Sequence, residues 1–286
     1  MREENVRRLE LVEALRRGIS QDLVVHYQPI VDLAQGRVHG VEALVRWQRG
    51  DVLVPPDAFI TAAEESGLIN ELGERVLERM LEDAPAIRDA AGGPLTFGIN
   101  MSAHQLRDPA FLQLVRQAVE QLGDNTLVLE MTETVVVADD VETDHALRTL
   151  RALGASLAID DFGVGFSSIG YLQHLPVDTL KIDRSFTRDV AVSPRAAALV
   201  EAILVMGAAL DLRVVAEGIE LPEQAGRLRA AGCLYGQGYL FGRPQPLPEV
   251  VRSLRAGLPV DALVRPAARS PENLLAWGSD TPGLSG

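Results

Sequence analysis

The stretch Ser156-Leu157-Ala158-Ile159-Asp160-Asp161-Phe162-Gly163-Val164-Gly165-Phe166 decides how the rest of the chain is interpreted. Its first four residues predict a short buried strand, which ends in two adjacent carboxylates and a glycine-containing loop. Two neighbouring acids at the end of an apolar strand cost free energy unless a cation neutralises them. The stretch therefore predicts a metal ion, whose other ligands are expected elsewhere in the chain.

Length and charge narrow the classes of protein to consider. The 286 residues suit one large barrel or two small domains, and 47% hydrophobic with 23% charged residues is ordinary for a globular core. With 27 basic and 40 acidic residues, the net charge is −13. This acidity argues against a DNA or RNA polymer as partner, because such partners need a basic groove. A small anionic ligand attracted by bound metal remains compatible with it.

Cysteine use and the N-terminus concern the cellular setting. Cys233 is the single cysteine, which excludes a disulfide framework and a cysteine-based zinc site. The N-terminus has no apolar signal segment, and no run approaches the length of a membrane span. We therefore expect a cytoplasmic location and no membrane segment.

Strand-like and helix-like segments alternate along most of the chain. The connector between the first two strand-like runs covers only residues 32–37, which is too short for a parallel crossover, so these two strands should be antiparallel. The later alternation is typical of a parallel sheet covered by helices, and eight strands favour a closed barrel. The predicted strands span 23–31, 38–45, 95–99, 126–129, 156–159, 179–180, 213–216 and 233–235, with helical patterns near 3–19, 57–66, 69–91, 109–122, 140–153, 166–173, 194–211, 221–231 and 247–256.

The fold class expected is therefore α/β, a (β/α)8 barrel. We expect residues 1–20 to form an amphipathic N-terminal helix or linker, 21–257 the barrel, and 258–286 a loosely ordered tail rich in Pro, Ser and Gly. Polar residues end six successive strands, and barrel active sites are built at this carboxyl end. They are Asn100, Glu130, Asp160 with Asp161, Lys181, Glu217 and Gln237, and Glu42 joins them if its strand points the same way.

The chemistry of these side chains favours a particular class of metal. Candidate ligands that offer oxygen are Glu42, Asn100, Glu130, Asp160 and Asp161, and a set without histidine suits Mg²⁺ or Mn²⁺ rather than zinc. Four carboxylates exceed the need of one divalent ion, so two ions bridged by one aspartate, best Asp160, are expected. The alternative for each carboxylate alone is a helix N-cap or a loop position.

Two cations near the predicted site have functional and structural interpretations. Lys181 is the only lysine, and at a strand end among carboxylates it could orient or deprotonate a metal-bound water. The alternative is a salt bridge to Asp183 or to an acid of the rim. Arg46 lies four residues after Glu42 on the same strand face, where its guanidinium suits a phosphate oxygen. Its alternative is an ion pair with a nearby acid.

The ordered set of motifs resembles the EAL-domain family of cyclic di-GMP phosphodiesterases. The likeness runs from about Tyr27 to Pro244 and includes Glu42-Ala43-Leu44-Val45-Arg46, Asn100-Met101-Ser102, Glu130-Met131-Thr132-Glu133, Asp160-Asp161-Phe162-Gly163, Lys181-Ile182-Asp183, Ala216-Glu217-Gly218-Ile219-Glu220 and Gln237-Gly238-Tyr239. The resemblance implies a modified TIM barrel with an antiparallel first strand. It also implies two Mg²⁺ or Mn²⁺ ions that hydrolyse cyclic di-GMP to linear pGpG, and inhibition by Ca²⁺.

The resemblance also assigns roles by position. It implies that Glu42, Asn100, Glu130, Asp160 and Asp161 bind metal, and that Lys181 and Glu217 hold the attacking water with support from Gln237. It implies substrate contacts for Gln28, Arg46 and Glu220. Residues Asp161 to Ser168 match a loop that couples metal binding to a homodimer interface and is anchored by Glu133; it contains Phe162, Gly163, Gly165, Phe166, Ser167 and Ser168.

Departures from the family pattern are confined to this loop. Val164 and Phe166 stand where threonine and tyrosine are usual, so two hydroxyl groups that could support loop hydrogen bonds are absent. An upstream sensor or GGDEF domain in a longer chain would fit the family. Asp161-Phe162-Gly163 also matches the metal motif of protein kinases, but the chain lacks the accompanying Gly-rich and His-Arg-Asp loops, which excludes a kinase.

Three functions stay open at the level of sequence. The first is an active metal-dependent phosphodiesterase. The second is a catalytically silent receptor that binds cyclic di-GMP and signals through the loop 161–168 and a dimer interface, and the third is a scaffold. Because every expected metal ligand is present, the first is favoured.

Overall fold

The structure of the protein is a computed structural model. It describes residues 2–136, 141–164 and 169–258. The predictions for Gly165, Phe166, Ser167 and Ser168, and for the tail after residue 258, lie outside the described residues.

Ten strands form one sheet, and eight of them close into a barrel. The strands are β1 (Leu23–Asp32), β2 (Arg37–Arg49), β3 (Val52–Val54), β4 (Thr96–Asn100), β5 (Thr126–Thr132), β6 (Ser156–Phe162), β7 (Thr179–Ile182), β8 (Arg213–Ala216), β9 (Tyr235–Gln237) and β10 (Gln245–Pro246). The order around the barrel is β1-β2-β4-β5-β6-β7-β8-β9, and β9 pairs back onto β1.

Strand directions confirm the predicted fold class. β1 runs antiparallel to both of its barrel neighbours, β2 and β9, while the other six pairs of the barrel, from β2–β4 to β8–β9, are parallel. The first strand is therefore the reversed one, as the short connector predicts. β2 points the same way as β4, so Glu42 belongs to the carboxyl end of the barrel.

Helices cover the outside of the barrel. They are α1 (Arg2–Gly18), α2 (Ile60–Ser66), α3 (Ile69–Ala91), α4 (Ala103–Leu106), α5 (Pro109–Leu122), α6 (Glu133–Val136), α7 (Val141–Ala152), α8 (Ile169–Leu172), α9 (Arg184–Thr187), α10 (Pro194–Ala209), α11 (Pro222–Ala230) and α12 (Leu247–Ala256), with a 3-10 turn at Pro56–Ala58. Among the described residues, no helix has both the length and the apolar character of a membrane span.

Local sequence explains where the longer helices begin. Asp108 and Ser193 accept hydrogen bonds from backbone N–H groups of the first turns of α5 and α10, and proline follows each of them. Such caps satisfy donors that have no partner within the helix. The predicted starts of both helices are confirmed for this reason.

Several segments differ from the expected ones. The last barrel strand begins at Tyr235 rather than at Cys233 and ends at Gln237 as expected, because pairing of Ile30 with Gln237 and of Asp32 with Tyr235 sets its register. β3 was not predicted; it forms a hairpin with β2 through Gly50, whose φ is 59°. The one-turn helices α4, α6 and α9 are too short to show helical periodicity.

The N-terminal helix α1 is only partly packed. Leu15 in its last turn and Ile19 just after it are buried in the core, whereas Val6 and Leu9 are 50% and 67% exposed. The apolar residues of α1 therefore contact the barrel only in the last turns of the helix.

Candidate metal centre at the carboxyl end of the barrel

Parallel register brings the predicted site residues to one end of the barrel. Asn100 pairs with Glu130, and Thr132, two residues after Glu130, pairs with Asp160. Glu42 stands opposite Gln28 on the reversed strand β1. Carboxyl ends of parallel strands meet at one rim, so residues far apart in sequence become neighbours.

Lys181 lies at the centre of this rim and is only 1% exposed. Its Nζ atom lies 3.3 Å from Glu42 Oε2, 3.1 Å from Asp160 Oδ1 and 2.8 Å from Glu217 Oε1. It also forms a close ion pair with Glu130 Oε2. A buried ammonium group is tolerated only when opposite charges surround it, and here four carboxylates do so. Lys181 therefore does form the salt bridges to acids of the rim that were the alternative prediction. Asp183, the other predicted partner, instead caps α9.

Glu42 is held from both sides by amide groups. Asn100 Nδ2 donates to Glu42 Oε1 at 2.8 Å, and Gln237 Nε2 donates to Glu42 Oε2 at 2.7 Å. Gln237 Nε2 also donates to Gln28 Oε1 at 3.0 Å, which links the reversed strand to the centre. These bonds fix the carboxylate of Glu42 and leave the oxygen of the Asn100 amide available to a cation.

The acids of the cluster titrate differently because their surroundings differ. Burial raises the pKa of Glu42, but Lys181 and the hydrogen bonds from Gln237 and Asn100 outweigh it and hold the pKa below its usual value. Burial, with Glu42 and Asp160 nearby, raises the pKa of Glu130 well above its usual range. Burial also raises the pKa of Glu217 to about 8 against the effect of Lys181. One ammonium group therefore does not neutralise the cluster.

Asp160, Asp161 and Glu217 form the part of the cluster best arranged for a metal ion. One carboxylate oxygen of each lies within 4.8 Å of the others. Burial and the neighbouring Asp160 raise the pKa of Asp161, and this residue has a φ of 53°, which is uncommon for a non-glycine residue. The buried Asp160 Oδ1 has the ion pair with Lys181 as its contact, and the buried Gln237 Oε1 accepts no hydrogen bond from the described residues. Excess acid and an unused acceptor fit a divalent cation.

Gly98 is a site residue that the motifs did not indicate. A Cβ atom built on Gly98 would lie 2.2 Å from Glu130 Oε1, so any larger residue would displace this carboxylate. Gly98 faces Glu42 across the β2–β4 pair. A glycine inside an otherwise apolar strand is the sequence signal for such a close approach.

The start of the predicted coupling loop is described. Gly163 N donates to Glu133 Oε2 at 3.2 Å, so the predicted anchor does contact the loop. Gly163 has a φ of 96°, and a Cβ atom there would meet the ring of Phe186 at 2.5 Å. Phe162 is buried. The backbone beside Asp161 is thus held by Glu133 and by the α9 segment.

The predicted substrate contacts lie around the centre at different depths. Gln28 is buried and donates to the Gly242 carbonyl at 3.1 Å. Arg46 is half-buried, and its Nη1 donates to the Val45 carbonyl at 2.8 Å. Glu220 is exposed and follows Glu217 by three residues, just before α11. Burial lowers the pKa of Arg46, and the nearby Glu42 carboxylate acts in the opposite direction.

The match to known proteins agrees with this geometry. The model of the EAL domain family matches residues 11–244, most of the chain. The chain belongs to the EAL domain family.

Relatives of this EAL domain include solved and curated proteins. It is 44% identical over 252 residues to the cyclic di-GMP phosphodiesterase NbdA of Pseudomonas aeruginosa. The aligned region covers 87% of this chain and 32% of NbdA. It is similar to the PaMucR phosphodiesterase in complex with c-di-GMP, at 37% identity and a TM-score of 0.77, covering 84% of this chain and 99% of that one. The cAMP- and cyclic-di-GMP-bound form of the EAL enzyme Bd1971 gives 32% identity and a TM-score of 0.80, covering 88% and 70%. The EAL domain thus spans about a third of the curated relative.

Proposed function

We propose that this EAL domain hydrolyses cyclic di-GMP to linear pGpG with a water molecule activated at a centre for two divalent cations. The observation that carries the proposal is the buried Lys181 among four carboxylates at the carboxyl end of the barrel. NbdA, a relative at 44% identity, is named a cyclic di-GMP phosphodiesterase, which supports the substrate.

The donor set fits hard cations. Glu42, Asn100, Glu130, Asp160 and Asp161 would hold two Mg²⁺ or Mn²⁺ ions, because all five offer oxygen and the cluster carries more acid than Lys181 neutralises. When bound, such ions polarise the phosphodiester and lower the pKa of a coordinated water. Ca²⁺ is expected to inhibit, because it prefers more ligands and longer distances than Mg²⁺.

The protein's own residues have distinct roles in the proposed reaction. Lys181 and Glu217, whose charged atoms are 2.8 Å apart, orient the attacking water. The Glu217 carboxylate takes up the proton of the water, because the neighbouring acids keep Lys181 protonated. Gln237 holds Glu42 in place at 2.7 Å. Since pGpG carries a 5′ phosphate, the water oxygen bonds to phosphorus while the bond from phosphorus to the 3′ oxygen breaks.

The rim residues would bind the remainder of the dinucleotide. Arg46 is positioned on the same face of β2 as Glu42 and would contact a phosphate oxygen. Gln28 and Glu220 would contact the nucleotide. The catalytically silent receptor is the second candidate, but the complete set of ligand side chains favours turnover, since a receptor does not need them.

Assembly and regulation are proposed on family grounds. A homodimer coupled to the site through the loop 161–168 and Glu133 agrees with the Gly163–Glu133 contact, and a longer chain with a sensor or GGDEF domain agrees with the larger size of the relatives. Light scattering after size-exclusion chromatography tests the dimer. The cytoplasmic location and the domain limits 1–20, 21–257 and 258–286 stay predictions.

The decisive experiment is a product assay. Purified protein is incubated with cyclic di-GMP and Mg²⁺ or Mn²⁺, and pGpG is separated by chromatography. We expect pGpG with either ion, none in excess chelator, and less when Ca²⁺ is added. Binding of cyclic di-GMP without any pGpG would reject the phosphodiesterase and support the receptor.

Two variants separate the site from general effects of charge. Asp160→Asn removes a proposed metal ligand and should abolish pGpG formation. Asp189→Asn is the control, since Asp189 forms a surface ion pair with Arg188 at 3.5 Å and is not one of the acids that contact Lys181. Equal activity of the two variants would contradict the proposed metal centre.

A further inference from the structure

Tyr239 is an exposed aromatic residue at the same end of the barrel as the metal centre. Its side chain is 48% exposed, and among the side chains that the structure describes no other Phe, Tyr or Trp is as exposed. Exposing an aromatic ring forfeits the free energy that its burial would contribute. An exposed ring beside a proposed substrate site therefore indicates a ligand or a partner that covers the ring when it binds.

Backbone contacts hold Tyr239 rigidly in this position. It follows Gln237, which contacts Glu42, and Gly238, on which a Cβ atom would lie 2.1 Å from the Ile219 carbonyl oxygen. Leu240 N donates to the same Ile219 oxygen at 3.0 Å, and the next residue, Phe241, is buried. Tyr239 thus sits on a tight turn fixed on both sides, so its exposure is a property of the fold.

Arg243 packs against one face of the Tyr239 ring. The Arg243 guanidinium carbon lies 4.0 Å from the ring centroid, a cation–π contact. Gly242, between Tyr239 and Arg243, accepts the hydrogen bond from Gln28 at 3.1 Å. Arg243 thus covers one face of the ring, and the 48% exposure of Tyr239 shows that much of its surface stays open to solvent.

The surroundings of Tyr239 match the parts of a nucleotide. The phenol lies close enough to Arg46 to affect the pKa of that guanidinium, together with Glu42. Arg46 is the proposed phosphate contact. A planar aromatic face beside a phosphate-binding arginine suits a base attached to that phosphate, because every base presents a π-face for stacking.

We propose that the open face of Tyr239 stacks on one guanine base of the cyclic dinucleotide and that Arg243 is a positioning residue that orients the ring. This inference rests on the proposed function for its ligand. It assigns Tyr239 a role in affinity for the base, and none in the chemistry at phosphorus.

Equilibrium binding tests the assignment without turnover. Calorimetry measures cyclic di-GMP binding in Ca²⁺ buffer, with chromatography to verify that the ligand stays intact. Tyr239→Leu, which keeps apolar bulk but removes the π-face, should raise Kd about tenfold or more. Tyr239→Phe is the matched control and should stay within about twofold, because it keeps the ring that stacks.

Arg243 is tested by rescue. Arg243→Gln should raise Kd less than Tyr239→Leu does, and Arg243→Lys should restore much of the affinity, because lysine also places a cation on the ring. A cyclic dinucleotide that carries fluorescent 2-aminopurine in place of guanine should be quenched on binding to the parent protein and much less on binding to Tyr239→Leu. Equal quenching by both proteins would overturn the stacking assignment.

A substrate without bases separates stacking from damage to the site. Hydrolysis of bis(p-nitrophenyl) phosphate in Mn²⁺ should be the same in the parent protein and Tyr239→Leu, while KM for cyclic di-GMP rises and kcat changes little. An unchanged Kd, or equal loss on both substrates, overturns the proposal. A Kd that is about tenfold higher for Tyr239→Leu than for Tyr239→Phe supports the proposal, whether or not the parent protein forms pGpG. If the parent protein binds cyclic di-GMP but forms no pGpG, only the proposed hydrolysis is rejected. Absence of cyclic di-GMP binding by the parent protein overturns both, and a Tyr239→Leu effect confined to dimerisation overturns stacking.

Discussion

At the carboxyl end of the barrel Lys181 contacts four acids, whereas at the amino end both carboxylate oxygens of Asp178 accept hydrogen bonds. Asp178, which precedes β7, accepts from Arg151 Nη2 at 2.7 Å, from Ser156 Oγ at 3.3 Å and from Leu157 N at 2.9 Å. Arg213 Nη2 in turn donates to Ser156 Oγ at 3.1 Å. Asp178 is thus satisfied by groups of the protein, whereas Glu130 and Glu217 at the carboxyl end are buried with more acid around them than Lys181 neutralises.

The difference separates stability from function in this fold. Hydrogen-bonded and paired groups at the amino end stabilise the barrel. Excess carboxylate at the carboxyl end destabilises the metal-free protein, because like charges are held together away from water. A cation that neutralises these acids should raise the free energy of unfolding, so cation binding and stability should be linked at the carboxyl end only.

The largest expected effect is that of Lys181→Met. It leaves the four carboxylates without their cation. We expect turnover to fall by about 10²–10⁴-fold, as for loss of a general acid or base. In chelator, the free energy of unfolding should fall by about 3–5 kcal/mol, as when a buried pair is broken. Urea unfolding with and without Mn²⁺ checks this, and unchanged turnover would remove the water-positioning role of Lys181.

Gly98→Ala should be next in size. The added methyl group would meet Glu130 Oε1, and a displacement of about 1 Å at a reacting centre costs about 10²-fold in rate. We expect a reduced kcat with weaker activation by Mn²⁺. Gly93→Ala is the control, because nothing lies within 4 Å of a Cβ atom there. Full activity of Gly98→Ala would show that Glu130 can move without consequence.

Asp178→Ala tests the other end of the comparison. Removing this acid leaves Arg151 and the Leu157 N–H without their acceptor, so the free energy of unfolding should fall by about 1–3 kcal/mol. Turnover per folded molecule should be unchanged, and Mn²⁺ should stabilise this variant as much as the parent. Loss of activity in the folded variant would show that the two ends are coupled.

The smallest effect concerns pH. The pKa of Glu217 is raised to about 8 from 4.5, so between these values the folded state binds a proton that the unfolded state has released. Stability of the metal-free protein from this group therefore falls as pH rises through that window. Glu217→Gln should flatten the slope of Tm between pH 5 and 8. Measuring the difference between parent and variant removes the contributions of His26 and His39, whose lowered pKa values act in the opposite direction. An identical slope in both proteins would contradict the raised pKa.

Much of the fold follows from local pattern. The alternation of strands and helices, the short connector at 32–37 and the caps at Asp108 and Ser193 each act within a few residues, so the reversed first strand and most helix limits are predictable. β3 and the register of β9 were not, because pairing with distant strands decides them. The close approach of Gly98 to Glu130 and the contact of Tyr239 with Arg243 do not follow from local pattern, since both depend on how the folded chain is arranged in space.

The residue types at strand ends are enough to predict a centre of oxygen ligands at one rim, because chain direction alone places the carboxyl ends of parallel strands together. Spacing along the chain does not reveal that Lys181 contacts four acids at once, or that Glu42 is held by amides from β4 and β9. Those contacts arise from closure of the barrel, which brings β2 beside β4 and links β9 to β1. Burial then sets which acids stay charged, and burial is a property of the closed barrel rather than of any one segment.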